Sequence, residues 1–324
     1  MLYRMRRLRQ SENLRQLRRE VRLNIEDFVY PLFVVPGKNI KREIPSLKDQ
    51  FHHSIDMLIY EIESISNLGI KYIMLFGIPE SKDDIGSGSF IEDGIVQRAV
   101  KKIKEINPEI VVITDVCMCE YTSHGHCGIL NQNGLIDNDK TISYLSKIAL
   151  SHAESGADIV CPSDMSDNRV YHIRKTLDAN GYINVPIMAH STKFASGFYE
   201  PFRDACDSAP SHGDRKNYQM DFHNSREAII EGEHDLIEGA DILIVKPALA
   251  YLDIVKSYRD NFNLPIATYN VSGEYQMLVK AVENNILSEN IYYETLIAMK
   301  RAGADIIITY FSKYAAEKIK SKIW

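Results

Sequence analysis

The chain has 324 residues, of which 45% are hydrophobic, 25% charged and 9% aromatic, with a net charge of −6. These fractions exclude disorder, collagen and coiled coil as the main architecture, and the mild acidity gives no ground for a nucleic-acid or membrane surface over the whole chain. The length suits two average domains or one large α/β barrel of about 250 residues with extensions.

The first 22 residues stand apart, with eight arginines (4, 6, 7, 9, 15, 18, 19 and 22) against two glutamates. That is a surplus of six positive charges, which leaves the remaining residues at −12. Leu8, Leu14, Leu17 and Val21 give some apolar spacing, but Ser11, Glu12 and Asn13 interrupt it. Residues 1–26 are expected to form an extended basic arm with a short helix. It is either a solvated tail or an arm lying on the acidic body of a neighbouring subunit; nothing else in the chain supports nucleic-acid binding. The apolar core and cleavage site of a secretory signal are not found there. No run of about 18 apolar residues predicts a membrane span; the best stretch, 241–255, is broken by Lys246, Pro247 and Asp253.

From Tyr30 onward, short apolar runs alternate with amphipathic stretches. Strands are predicted at Tyr30–Val35, Lys71–Phe76, Ile110–Asp115, Asp158–Cys161, Val185–Ala189, Asp241–Val245, Pro265–Tyr269 and Asp305–Thr309. Each is nearly continuous in apolar character, as strands buried on both faces of a parallel sheet are. Helical patterns such as Ile55–Asn67, Lys140–Glu154, Arg226–Glu238, Leu252–Asn261 and Glu289–Arg301 lie between them. Eight strand–helix units predict an α/β fold, a single (β/α)8 TIM barrel over residues 27–324. The sequence Gly-Ala-Asp-Ile at 156–159, 239–242 and 303–306 supports the division, since glycine ends a helix in the left-handed conformation before a strand opens. An open doubly wound sheet is disfavoured because no Gly-rich phosphate loop follows the first strand.

Barrel chemistry sits at the carboxyl ends of the strands. There the sequence places Asp115 and Cys117, Ser163 and Asp164, then Lys193, Lys246, Ser272 and Tyr310. Lys246 closes the buried run Asp-Ile-Leu-Ile-Val-Lys-Pro; burial lowers an ammonium's pKa, and a free amine attacks carbonyls to form a Schiff base. A lysine snorkelling to solvent or paired with a carboxylate is the competing reading. Lys193, at the neighbouring mouth, is expected to share the effect, each lysine depressing the other's protonation. Cys117, Cys119 and Cys127 lie in one loop, a grouping of soft donors that selects zinc. Three ligands leave a position open for catalysis, while His124 or His126 could close the shell as a structural site, and three reduced, metal-free thiols remain possible. Cys161 and Cys206 read as ordinary reduced thiols, and five cysteines in a chain this long predict a reducing, cytoplasmic setting rather than secretion. Arg203 and Arg215 would suit a carboxylate-bearing substrate, although Arg203 beside Asp204 could equally be a surface ion pair.

Taken in order, Asp-Val-Cys-Met-Cys-x-Tyr-Thr-Ser-His-Gly-His-Cys-Gly from Asp115, Pro162-Ser163-Asp164-Met165, Lys193 with Phe-Tyr-x-Pro-Phe-Arg-Asp-Ala, Val245-Lys246-Pro247 with Tyr251-Leu252-Asp253, and Val271-Ser272-Gly273-Glu274-Tyr275 closely resemble the porphobilinogen synthase (δ-aminolevulinic acid dehydratase) family over nearly the whole chain. The resemblance implies a lyase that condenses two molecules of 5-aminolevulinate to porphobilinogen, with loss of two waters, on the tetrapyrrole (haem) pathway. It implies Schiff bases on Lys246 with the first substrate and Lys193 with the second, and zinc on Cys117, Cys119 and Cys127 as Lewis acid. It also implies Arg203 and Arg215 on the second substrate's carboxylate, Ser272 and Tyr310 on the first's, proton transfer by Asp115, and Ser163 in the substrate site. The cysteine form implies zinc rather than the magnesium of relatives with aspartates there. Glu231, after Arg-Glu-Ala-Ile-Ile, would mark an allosteric magnesium, or else be an ordinary helix-surface glutamate, and the arm would embrace neighbours in a homo-octamer. Two departures are visible: Glu120 replaces the family's proline, and Ser166-Asp167-Asn168-Arg169 replaces Met-Asp-Gly-Arg. A Schiff-base aldolase with structural cysteines and a non-catalytic zinc-stabilised oligomerisation protein are the competing functions.

Overall fold

The computed structural model describes residues 3–324, so the first two residues of the expected arm lie outside the described residues. Its strands are β1 (Phe28–Val35), β2 (Lys41–Ile44), β3 (Leu47–Ser54), β4 (Tyr72–Gly77), β5 (Val111–Val116), β6 (Ile159–Pro162), β7 (Met188–Lys193), β8 (Ile242–Lys246), β9 (Ile266–Asn270) and β10 (Ile306–Thr309). Eight of them pair in the order β6-β5-β4-β1-β10-β9-β8-β7, every neighbour parallel. A parallel bridge from Val160 to Ile187 joins the two ends. The result is the predicted (β/α)8 barrel. All eight residues of β1 are buried, as the unbroken apolar run required.

Helices pack outside by burying one stripe each. Ile95–Ile106, not singled out from sequence, buries Ile95, Val96, Ala99, Val100 and Ile103, the i, i+4, i+8 spacing of one helix face. Helices Arg226–Glu238 and Leu252–Asn261 have the predicted ends. Arg169–Ala179, Ser272–Glu283 and Ser312–Lys320 complete elements that sequence periodicity left unassigned.

The Gly-Ala-Asp repeats do more than end helices. Gly156, Gly239 and Gly303 have φ of +96°, +106° and +127°, which a side chain would strain. Each aspartate then reaches across to the preceding barrel strand. Asp158 accepts from the Val112 N–H at 2.7 Å, Asp241 from Ile187 at 2.8 Å and Asp305 from Ile266 at 2.9 Å. Backbone bonds run the other way, from the aspartate N–H groups to the carbonyls of Val112, Ile187 and Ile266. The repeat is a clasp at the amino-terminal rim, where a barrel carries stability rather than chemistry.

Two features depart from the expectation. β2 and β3 form an antiparallel hairpin, and β3 joins β1 in parallel from Phe33↔His52 to Val35↔Ser54. Neither strand alternates cleanly, because a register shift at Glu43/Ile44 breaks the period. The fifth barrel strand begins later than predicted and runs on through His190, Ser191 and Thr192 to Lys193. Those polar residues resembled a loop, but all are buried, since the inside of a barrel's catalytic end is polar. Between Ala189 and Thr192 the register against β8 slips by one residue: Met188 pairs with Ile242 and Ala189 with Leu243, whereas Thr192 pairs with Val245 and Lys193 with Lys246.

In the arm, the interruption at 11–13 is the start of a helix. Ser11 accepts from the Leu14 N–H at 3.3 Å, capping Glu12–Leu17, and Glu12 pairs with Arg15 and Arg19, each at 2.7 Å. Nothing in this helix or the preceding turn Met5–Arg9 is buried. Among the described residues no helix is long and apolar enough to cross a membrane.

Candidate active site

One cavity at the carboxyl ends of the strands is lined by Phe76, Asp115, Cys119, Glu120, Ser163, Lys193, Tyr199, Phe202, Arg203, Arg215 and Lys246. Seven of these were singled out from sequence as site residues, and the fold brings them together from five segments. Lys193 and Lys246 are direct register partners on neighbouring parallel strands, so both side chains leave the same face of the sheet. Each is only 5% exposed.

The two lysines differ in environment. Burial, and then the positive charge of Lys193, lowers the Lys246 pKa to about 8. Its Nζ lies 4.4 Å from the Tyr269 ring, 5.3 Å from Phe202 and 5.5 Å from Tyr199, aromatic surfaces that exclude water without accepting a proton. Burial acts on Lys193 in the same direction, but the charge of Cys127 and then of Cys117 and Cys119 outweighs it, and its pKa is raised. Lys193 also donates to the Ser163 carbonyl. The expected mutual depression is therefore one-sided, because the sulfur cluster stands beside Lys193. Asp115 faces the cavity, and burial followed by the nearby Glu120 charge raises its pKa to about 7.

The three thiols are 1–3% exposed, and their sulfurs lie within 4.8 Å of one another, with Cys117 and Cys119 at 3.4 Å. Zinc with bonds of about 2.3 Å in tetrahedral geometry needs sulfurs roughly 3.8 Å apart, so the trio fits it. Hydrogen bonds from Cys117 and Cys119 hold the Cys127 thiol well below its ordinary range. The Cys117 and Cys119 thiols are pushed well above theirs, and a cation is what would let them ionise. Neither histidine completes the group among the described residues. His126 has both ring nitrogens engaged, by Tyr218 Oη at 3.2 Å and the His212 carbonyl at 3.0 Å, and His124 Nδ1 accepts from the His126 N–H at 3.1 Å.

Arg215 donates to the carbonyls of Gly125 at 2.8 Å and Ser208 at 2.5 Å, while its Nε and that of Arg203 have no partner. Ser272 and Tyr310 do not line the cavity. Ser272 Oγ accepts from the Phe202 N–H at 2.9 Å and contacts the Phe198 carbonyl at 3.3 Å, holding the Arg203 segment against the barrel. Tyr310 stands behind the cavity, its hydroxyl 3.1 Å from that of Tyr269. Glu231 lies elsewhere, half-buried in a groove with Asp167, Arg169, His234, Asp235 and Glu238; no three-ligand cluster among the described residues includes it. Phe76, Tyr199, Phe202 and Tyr269 are the residues that sequence reasoning passed over. Tyr199 and Phe202 precede the arginine in the quoted motif, and aromatic residues beside a candidate amine are the signal that could have marked them.

This geometry is matched by comparison. Residues 2–318 fit the family model described as delta-aminolevulinic acid dehydratase. The chain belongs to the delta-aminolevulinic acid dehydratase family, whose members are lyases. It is 52% identical over 316 residues to the delta-aminolevulinic acid dehydratase of Methanothermus sociabilis, with 98% of each chain covered. The Bacillus subtilis protein of that name is 50% identical over 313 residues, 96% of each chain. A solved delta-aminolevulinic acid dehydratase from Toxoplasma gondii, in complex with the reaction product porphobilinogen, superposes with a TM-score of 0.96 at 43% identity, covering 98% of this chain and 91% of that one. Asn168, standing where the family often has glycine, holds φ of +62°, which asparagine tolerates better than most residues. Arg169 beside it stays buried against Asp164 and Asp235.

Proposed function

We propose that the enzyme is a porphobilinogen synthase, joining two 5-aminolevulinate molecules into porphobilinogen with loss of two waters, as a step towards tetrapyrroles and haem in the cytoplasm. The observation that carries this reading is the pairing of two buried lysines in one register, beside three clustered thiols. Joining two copies of one keto-amine needs two carbonyl-activating places side by side. Lys246, with its pKa near 8, supplies free amine at neutral pH to attack the first ketone, and the imine forms as water leaves. Lys193 holds a proton before reaction and takes the second substrate once that proton moves on. Asp115, with its pKa near 7 and the charges of both lysines acting on it, is the group to receive and return protons.

The free Nε donors of Arg203 and Arg215 offer two guanidinium contacts to the second carboxylate. Ser272 and Tyr310 would hold the first carboxylate, for which Ser272 Oγ must release the Phe198 carbonyl. Ser163 follows β6, on the side of β7 away from β8, and its carbonyl accepts from Lys193 and orients it. Zinc on Cys117, Cys119 and Cys127 would add Lewis acidity towards the second substrate. Magnesium at Glu231 would act from outside the cavity, as an allosteric ion. The test is to mix the pure protein with 5-aminolevulinate and follow pyrrole formation. Turnover to porphobilinogen is the expected result, and an imine with no pyrrole would favour an aldolase instead.

The basic arm belongs to the same proposal. Its turn Met5–Arg9 and helix Glu12–Leu17 bury nothing on their own chain, and residues 1–22 carry six surplus positive charges against a body at −12, which suits a neighbouring subunit in a homo-octamer. Deleting residues 1–22 is expected to shrink the assembly in light scattering; an unchanged mass would remove the arm from the interface.

A further inference from the structure

Glu274 has no part in the mechanism above, yet it is fully buried against the turn that follows Lys246. The pairing of β8 with β9 ends at Val245↔Thr268, one residue short of the amine. Towards β7, the Lys246 carbonyl accepts from the Phe194 N–H at 3.1 Å and from Tyr199 Oη at 3.3 Å. Beyond Lys246, Pro247 has no N–H to donate, and the amides that follow need acceptors that the ladder no longer supplies. Glu274 Oε1 provides them, accepting from the Ala248 N–H at 3.1 Å and the Leu249 N–H at 2.6 Å. Its Oε2 accepts from Asn270 Nδ2 and the Val271 N–H, each at 3.1 Å, at the end of β9. An ionised carboxylate offers about four acceptor sites, and these donors fill them. The carboxylate thus replaces the ladder where β8 and β9 part.

We propose that Glu274 is a positioning residue for Lys246: its carboxylate fastens the strand end that carries the amine to the end of β9, and so keeps the amine against the Tyr269 ring and opposite Lys193. This rests on the reading that Lys246 forms the imine. Tyr269 is itself on β9, so the clamp fixes the amine and its aromatic wall to the same strand. A slack turn would let the lysine swing off that wall towards water, where the amine regains its proton, and a misplacement of about 1 Å can cost a reaction about 10²-fold. Capping is the plainer role, since Glu274 is the third residue of helix Ser272–Glu283 and accepts from the Val271 N–H before it. That role accounts for Oε2 alone. Oε1 faces the turn of another strand.

Glu274→Asp separates the two roles. Aspartate keeps the charge and can still cap the helix, but it is one methylene shorter and cannot reach both turns. The full-length variant is treated with 5-aminolevulinate and borohydride well above the pKa of either group, since burial pushes the Glu274 carboxyl up to about 7 and Lys246 stands near 8. Capture on Lys246, read by mass spectrometry, should slow by about 10-fold or more while the melting temperature barely moves. The pH of half-maximal capture should rise. Besides burial, the charges acting on Lys246 are chiefly those of Lys193, Asp115, Cys161 and Cys119, and the variant retains them all, so only a displaced amine moves the midpoint. Capture at the wild-type rate per folded molecule, or an unchanged midpoint, would overturn the proposal and leave capping as the whole role of Glu274. A wild type that forms no adduct on Lys246 would overturn the imine reading as well. Should Glu274→Asp fail to fold, Glu274→Gln decides alone: its amide nitrogen can no longer accept from one pair of donors, and capture as fast as in the wild type overturns the assignment.

Discussion

Replacing Lys246 by methionine is expected to abolish pyrrole formation, lowering turnover by about 10⁴-fold or more, as loss of a covalent nucleophile does elsewhere. Borohydride reduction with 5-aminolevulinate should fix an adduct on Lys246 in the wild type and none at that position in the variant. The yield should rise with pH. Burial and the Lys193 charge bring the Lys246 pKa down to about 8, so the amine is mostly protonated below that value and mostly free above it. Removing the Lys193 charge, by Lys193→Met, takes away the second of those causes and should move the inflection to higher pH. Mass spectrometry that places the wild-type adduct on another residue would defeat the assignment.

Stripping the metal is expected to have an effect of similar rank. Chelation should reduce condensation by about 10³-fold, the scale of several kcal/mol of Lewis-acid assistance, and Zn²⁺ should restore it. Magnesium should not, because three buried thiolates favour a soft ion over a hard one. Lys246 lies outside the sulfur cluster, so imine trapping on it should survive chelation. Full activity in protein shown to hold no zinc would remove the metal from the reaction.

Much of this was legible in the sequence because the barrel writes itself in eight apolar runs, each buried on both sides, and in three Gly-Ala-Asp junctions. The carboxyl-end rule then sent Lys193, Lys246, Asp115 and the cysteines to one rim. What escaped was set by partners distant in the chain. The β2–β3 hairpin has no regular alternation to betray it. His190, Ser191 and Thr192 read as loop because polar residues in a strand make sense only once the barrel interior is known. The opposite behaviour of the two lysines depends on which of them stands beside the sulfurs, and no spacing rule supplies that. Tyr269, far from the cysteines in sequence, becomes a wall of the Lys246 site only when β9 closes against β8.

The one-residue slip between Ala189 and Thr192 has a meaning beyond its shape. Continued in the phase set by Met188 and Ile242, Lys193 would fall opposite Pro247 rather than Lys246. A single inserted residue reverses which wall of the barrel every later side chain of that strand meets. The facing of the two amines thus depends on this bulge as much as on the two lysines themselves. Deleting one residue between Ala189 and Thr192 is therefore expected to turn the Lys193 side chain away from the lumen and leave a single amine there.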